Sequence, residues 1–79
     1  MATYRDYLFD LGYEVKLCAL EARRQRDDAA EGSEERAFAS GYLSAFHRVI
    51  TLMQQQAQAL DIPLSDIRLD EINADKDLT

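Results

Sequence analysis

His47 and Cys18 are the only histidine and the only thiol of the chain. A Cys/His nucleophile pair would need their reactive atoms within about 3 Å of each other. Both sit in helical patterns. At about 100° per residue, Cys18 falls in the seam between helices and His47 on the polar side, so a small core thiol and a surface histidine are expected. Carboxylates are plentiful, but Asp10, Glu14 and Glu21 follow one ridge of a helix, with no Gly-rich loop, no H-x-x-x-H spacing and no cleft to shift a pKa. Asn73-x-Asp75-x-Asp77 has the spacing of calcium-loop oxygen ligands but lacks the following Gly and the distal Glu. No catalytic, cofactor-binding or metal-ligating set emerges, and the chain is expected not to be an enzyme.

Arg23-Arg24-Gln25-Arg26 is the one basic cluster. With Arg36 it is interleaved among Asp27, Asp28, Glu31, Glu34 and Glu35. The whole chain carries 15 Asp+Glu against 9 Lys+Arg, a net charge of -6, so it repels a phosphate backbone and direct nucleic-acid binding is not expected. Asp27 and Asp28 lie where a helix ends and oppose its dipole by roughly 0.3–1 kcal/mol each unless the arginines offset them. Stability alone does not favour such a placement. The stretch Arg23 to Arg36 is therefore the expected binding surface for a protein partner, with the tail from Asp70 onward as second choice.

Two long helical patterns position these residues. The first, about 3–28, opens with Thr3 and Asp6 at capping-box spacing. Tyr4, Leu8, Leu11, Val15, Cys18 and Ala22 follow at alternating spacings of four and three, the rhythm of a helix packed on another helix. Phe9, Tyr13, Leu17 and Leu20 fall on nearly the opposite side, so the helix is expected to be covered twice. Gly32 is suited to the left-handed conformation that ends a helix, and Ser33 to capping the next, with Glu34 and Glu35 at its positive dipole end.

The second pattern, about 33–60, puts Phe38, Tyr42, Phe46, Val49, Ile50, Leu52, Met53, Ala57 and Leu60 on one broad face. Ala37, Gly41 and Ala45 form a small-residue ridge at its edge. Gly41 costs about 1 kcal/mol relative to Ala in a helix, which a close helix crossing would offset. Gln56 lies near the middle of the apolar face and needs a tyrosine hydroxyl, a backbone group or its own symmetry mate as partner. Pro63 stops the helix and can open a short helical turn through Ile67. The apolar residues of 62–72 predict a docked tail that covers the stripe around Phe9 and Tyr13, unless a partner chain does so. Residues 73–79 are polar and predicted to fray.

At 79 residues the chain is expected to be a single domain, and a core of that size supplies only roughly 3–5 kcal/mol. One cysteine makes no internal disulfide, and no Cys/His cluster holds a structural metal. No apolar run approaches the ~20 residues of a membrane span, and the first residues lack a signal-peptide pattern, so a cytoplasmic location without membrane contact is expected. Oligomerisation is the remaining source of stability. The fold class is all-α: an antiparallel two-helix hairpin with a short C-terminal helical turn, pairing with a second copy into a dimeric four-helix bundle. Leu8, Leu11, Val15, Phe38, Gly41, Tyr42, Phe46, Val49 and Met53 are the expected core or dimer contacts. The expected function is a small non-catalytic protein-interaction or regulatory module acting as a homodimer. The alternative is an acidic nucleic-acid mimic that occupies the basic groove of a nucleic-acid-handling protein.

Overall fold

A computed structural model covers residues 1–79. Helix α1 spans Tyr4–Asp28 and helix α2 Glu34–Ala59. A 3-10 turn, Leu64–Ile67, and a single-turn helix α3, Ala74–Asp77, follow. The architecture is an all-helical hairpin with the C-terminal segment laid across one of its faces.

The helix ends follow local chemistry. The Thr3 hydroxyl accepts from the Asp6 N–H at 3.1 Å, and the Asp6 carboxylate accepts from the Thr3 N–H at 2.9 Å, which completes the capping box. Ser33 caps α2 by accepting from the Arg36 N–H at 3.1 Å. Gly32 does take a positive φ, 81°, but inside the connecting turn; α1 itself ends on extended Ala29, whose N–H reaches the Gln25 and Arg26 carbonyls. Helix α2 closes with left-handed Asp61, φ 56°, and an Ile62 N–H donating to the Ala57 carbonyl at 2.8 Å, the Schellman arrangement.

The seam between the helices is rotated from the expected one. On α1 it is formed by buried Ala19 and Ala22 with half-buried Val15, while buried Gly12 faces the 3-10 turn instead; Leu11 and Cys18, expected in the seam, are exposed. On α2 it comprises buried Ala39, Leu43, Ile50 and Ala57 with half-buried Phe46 and Met53. Both series keep spacings of three and four, so the rhythm holds; on α1 Val15 and Ala22 keep their places while Ala19 takes the position expected for Cys18. The cause is size: the small Ala19 and Ala22 of α1 leave room that the larger Leu43, Phe46 and Ile50 side chains of α2 fill. Larger α1 side chains are thereby turned away from the seam.

The tail completes the core. Ile67, Leu69, Ile72, Ala74 and Leu78 join Ala19, Ala22, Leu43, Ile50 and Ala57 in one cluster. The end expected to fray, 73–79, is therefore docked, with Leu78 only 1 % exposed. Asn73 caps α3 by accepting from the Lys76 N–H, and that single turn swings Leu78 back into the core. One turn is too short to show a period, so the polar composition concealed it.

Candidate functional site

The residues with chemical potential lie apart. His47 is half-buried on the tail side, with its Nε2 2.9 Å from Asp75 Oδ1, rather than on the solvent-facing surface expected for it. Cys18 is exposed, not in the core. The Asn73, Asp75 and Asp77 side chains do not converge as ligands: Asn73 caps α3, Asp75 meets His47, and Asp77 accepts from the Asn73 N–H at 2.8 Å. No group of three or more His, Cys, Asp or Glu side chains is placed to share a metal ion. The largest depression, about 790 Å³, runs beside Thr51, Gln54 and Gln58 and the carboxylates Asp70, Glu71 and Asp75.

At the hairpin tip, the charges are consumed internally. Arg24 pairs with Glu21 and, at 2.8 Å, with Asp28; Arg26 pairs with Asp27 at 2.9 Å, and Arg23 lies 3.9 Å from Asp27. Arg36 donates to the Arg26 and Ala29 carbonyls, satisfying backbone acceptors left over where α1 ends. These contacts account for Asp27 and Asp28 opposing the dipole: each has an arginine on the same helix. Of the acids expected at a partner site, Glu31, Glu34 and Glu35 remain exposed, and none of the three forms an ion pair. The hydrogen bond from Arg24 holds the Glu21 carboxyl below the usual carboxylate range. The stabilisation this represents is present above the ordinary carboxylate pKa and is lost as the pH falls through the lowered one.

The tail side carries anchors that no sequence signal announced. A Cβ on Gly12 would stand 1.7 Å from the Ile67 carbonyl oxygen, so only glycine admits the 3-10 turn there. Gln54 donates to the Leu69 and Ile72 carbonyls at 3.1 and 2.9 Å, and Arg23 to the Asp77 carbonyl at 3.0 Å. Arg68 is itself left-handed, φ 58°, and its guanidinium lies 3.9 Å from the Phe9 ring centroid and 4.6 Å from that of Tyr13. The stripe around Phe9 and Tyr13 is thus partly roofed by the tail, as one of the two expectations had it.

The opposite face has no roof. On α2, Phe38, Tyr42, Val49, Leu52 and Leu60 are 41–71 % exposed, and on α1 Tyr4, Tyr7 and Leu11 are exposed as well. Phe38 stacks on Tyr42 with centroids 6.0 Å apart, and Tyr42 meets Phe46 edge-on at 5.0 Å, which gives the patch a fixed aromatic relief. Gln56 is exposed within it. Gly41 was expected at a close crossing, yet a Cβ there would meet nothing within 4 Å. The accessible surface is 5618 Å² for 9.0 kDa, whereas a compact monomer of that mass exposes about 4,850 Å². The radius of gyration, 13.9 Å, exceeds the ~12 Å of a compact chain of this length. The molecule is a slab of 45 × 26 × 16 Å with one apolar side in water. No helix is long and apolar enough to cross a membrane.

Comparison with protein-family models, curated proteins and solved structures finds no match to this chain.

Proposed function

We propose that the chain is a small non-catalytic protein-interaction or regulatory module that acts as a cytoplasmic homodimer. The open apolar face carries this reading. The whole chain exposes roughly 750 Å² more than a compact monomer of its mass, of the order of the ~800 Å² that each partner contributes to a standard interface. The exposed aromatic and aliphatic side chains of this face are where such an excess can be buried. Large contiguous exposed apolar patches mark interaction sites in folded proteins. The free acids Glu31, Glu34 and Glu35, beside the aromatic patch, favour a second reading as an acidic mimic of nucleic acid. Light scattering over a hundredfold dilution tests the first: a particle of twice 9.0 kDa is expected at micromolar concentration, and a single chain throughout would overturn it. Capture of a basic nucleic-acid-handling protein that collapses with added salt would support the second.

A further inference from the structure

Each long helix presents two stripes, one consumed in the hairpin seam and one on the open face, and their phases dictate how a second copy fits. We propose that the second copy seats on the open face with α1 of each chain against α2 of the other and both hairpin tips at the same end. This rests on the homodimer reading above and specifies its geometry.

The first argument is angular. At 100° per residue, the seam and open stripes of α1 are about 80° apart in azimuth, and those of α2 about 110°. Helices at the corners of a square bundle need contact stripes separated by about a right angle. Stripes on opposite sides would instead have built an extended sheet of helices.

Register supplies the second argument. The open stripe of α1 runs from Tyr4 to Gln25 in alternating steps of three and four, and that of α2 from Phe38 to Ala59 in steps of four and three. Laid antiparallel, the two series coincide along their whole length. Tyr7 meets the second copy's Gln56, Leu11 its Leu52, Cys18 its Ala45, and Glu21 its Tyr42. The chemistry agrees at these four levels: a tyrosine hydroxyl reaches the Gln56 amide, leucine packs on leucine, a small thiol lies on alanine, and a phenol donates to a carboxylate. At the other three, Tyr4 meets Ala59, Gln25 meets Phe38, and Glu14 lies over Val49 with its carboxylate at the rim. A two-fold axis parallel to the helices keeps heights unchanged. The second copy's α2 therefore arrives level with the chain's own α2, whose height follows from the short turn between the end of α1 at Asp28 and the start of α2 at Glu34. That height and the required register agree to within about one residue, a rise of ~1.5 Å.

Charge selects between the two antiparallel bundles that a flat hairpin can make. The outer edge of α1 carries Asp10 together with Glu14 and Glu21 of the open stripe; that of α2 carries Glu34 at its first turn and then Ala37, Gly41, Ser44 and Arg48. Stacking α1 on α1 would set the acidic ridge against itself. Stacking α1 on α2 sets it against the small residues and Arg48, and puts the open space over Gly41 next to an approaching helix.

Spin labels on Glu31→Cys, in a Cys18→Ala background, give the decisive distance. Glu31 is exposed at the tip and bonded to no side chain. With tips together and interaxial distances of 8–10 Å, the inter-label distance is expected at roughly 15–30 Å. A distance near the 45 Å length of the molecule would show tips at opposite ends. It would overturn this arrangement while leaving the homodimer intact. A single-chain mass by light scattering on the same sample would overturn the homodimer reading itself. As an independent readout, Ala45→Cys with Cys18 retained should give, on mild oxidation, a covalent dimer whose peptide map joins positions 18 and 45. A dimeric particle that forms no such link contradicts the register.

Discussion

On the tail side of the hairpin, Gly12 has no room for even a methyl group; on the other side, Gly41 has nothing within 4 Å of where one would stand. The two faces use similar residues, aromatic and aliphatic side chains at helical spacing, but only one is finished within the chain. The tail face is closed by backbone contact at Gly12, by the carbonyl bonds of Gln54 and Arg23, and by Leu78. The open face has the periodicity of a second helical seam and no helix in it. A glycine in a helix thus carries no fixed meaning; what crosses it decides.

Substitutions at the two glycines should diverge most. Gly12→Ala forces the 3-10 turn away from α1 and is expected to destabilise by about 3 kcal/mol or more, enough to lower Tm by roughly 10–20 °C in a domain this small. Thermal unfolding followed by circular dichroism measures it, and an unchanged Tm would mean that the tail does not lie where the structure puts it. Leu78→Ala removes a fully buried side chain, and the expected loss is about 2–4 kcal/mol, read from the shift of the urea midpoint. A frayed end would show none of this.

His47→Ala should cost no more than about 1 kcal/mol, because Asp75 is almost fully exposed and water screens the pair. Its readout is faster amide exchange in α3 with α1 unaffected. Gly41→Ala is the smallest change and has the opposite sign: it raises helix propensity by up to about 1 kcal/mol and meets no neighbour in the chain. If, at dilutions where the chain is single, Gly41→Ala lowered Tm as Gly12→Ala does, the asymmetry between the faces would be lost.

The parts of the fold legible in the sequence were those governed by local chemistry. Thr3 with Asp6 and Ser33 with the Arg36 N–H fix helix starts through hydrogen bonds spanning three residues, and Pro63 limits a helix by lacking an N–H, so spacing alone reveals them. The hairpin followed from two long periodic runs joined by a short polar break. Phase was harder, because large apolar residues mark a seam more loudly than glycine and alanine do. Cys18 therefore marks the seam more loudly in the sequence than its neighbour Ala19, although close approach of two helices favours the smaller residue, and Leu11 does so more loudly than Gly12, which the tail needs. The tail contacts depend on residues up to 61 positions apart, as in Arg5 with Asp66, and on the left-handed backbone of Arg68, and neither leaves a local pattern. At the tip, the interleaved charges were visible but their pairing was not. Arg36 reaching back to the Arg26 and Ala29 carbonyls turns an electrostatic oddity into a helix cap. The candidate interface was legible as a set of exposed-capable apolar residues, of which Phe38, Tyr42, Val49 and Leu11 lie on the open face while Val15, Phe46 and Met53 pack against the core.

Val49→Asp, read by sedimentation equilibrium and circular dichroism together, tests most directly the claim that one face folds the chain and the other joins it to a copy. Val49 is 41 % exposed in the single chain, so a carboxylate there stays in water when the chain is alone but would be trapped unpaired in an interface. The account predicts full helix content with the mass falling from two chains to one. Loss of helix would show that Val49 belongs to the folding core, and a particle that remains dimeric would show that the second copy does not sit on this face.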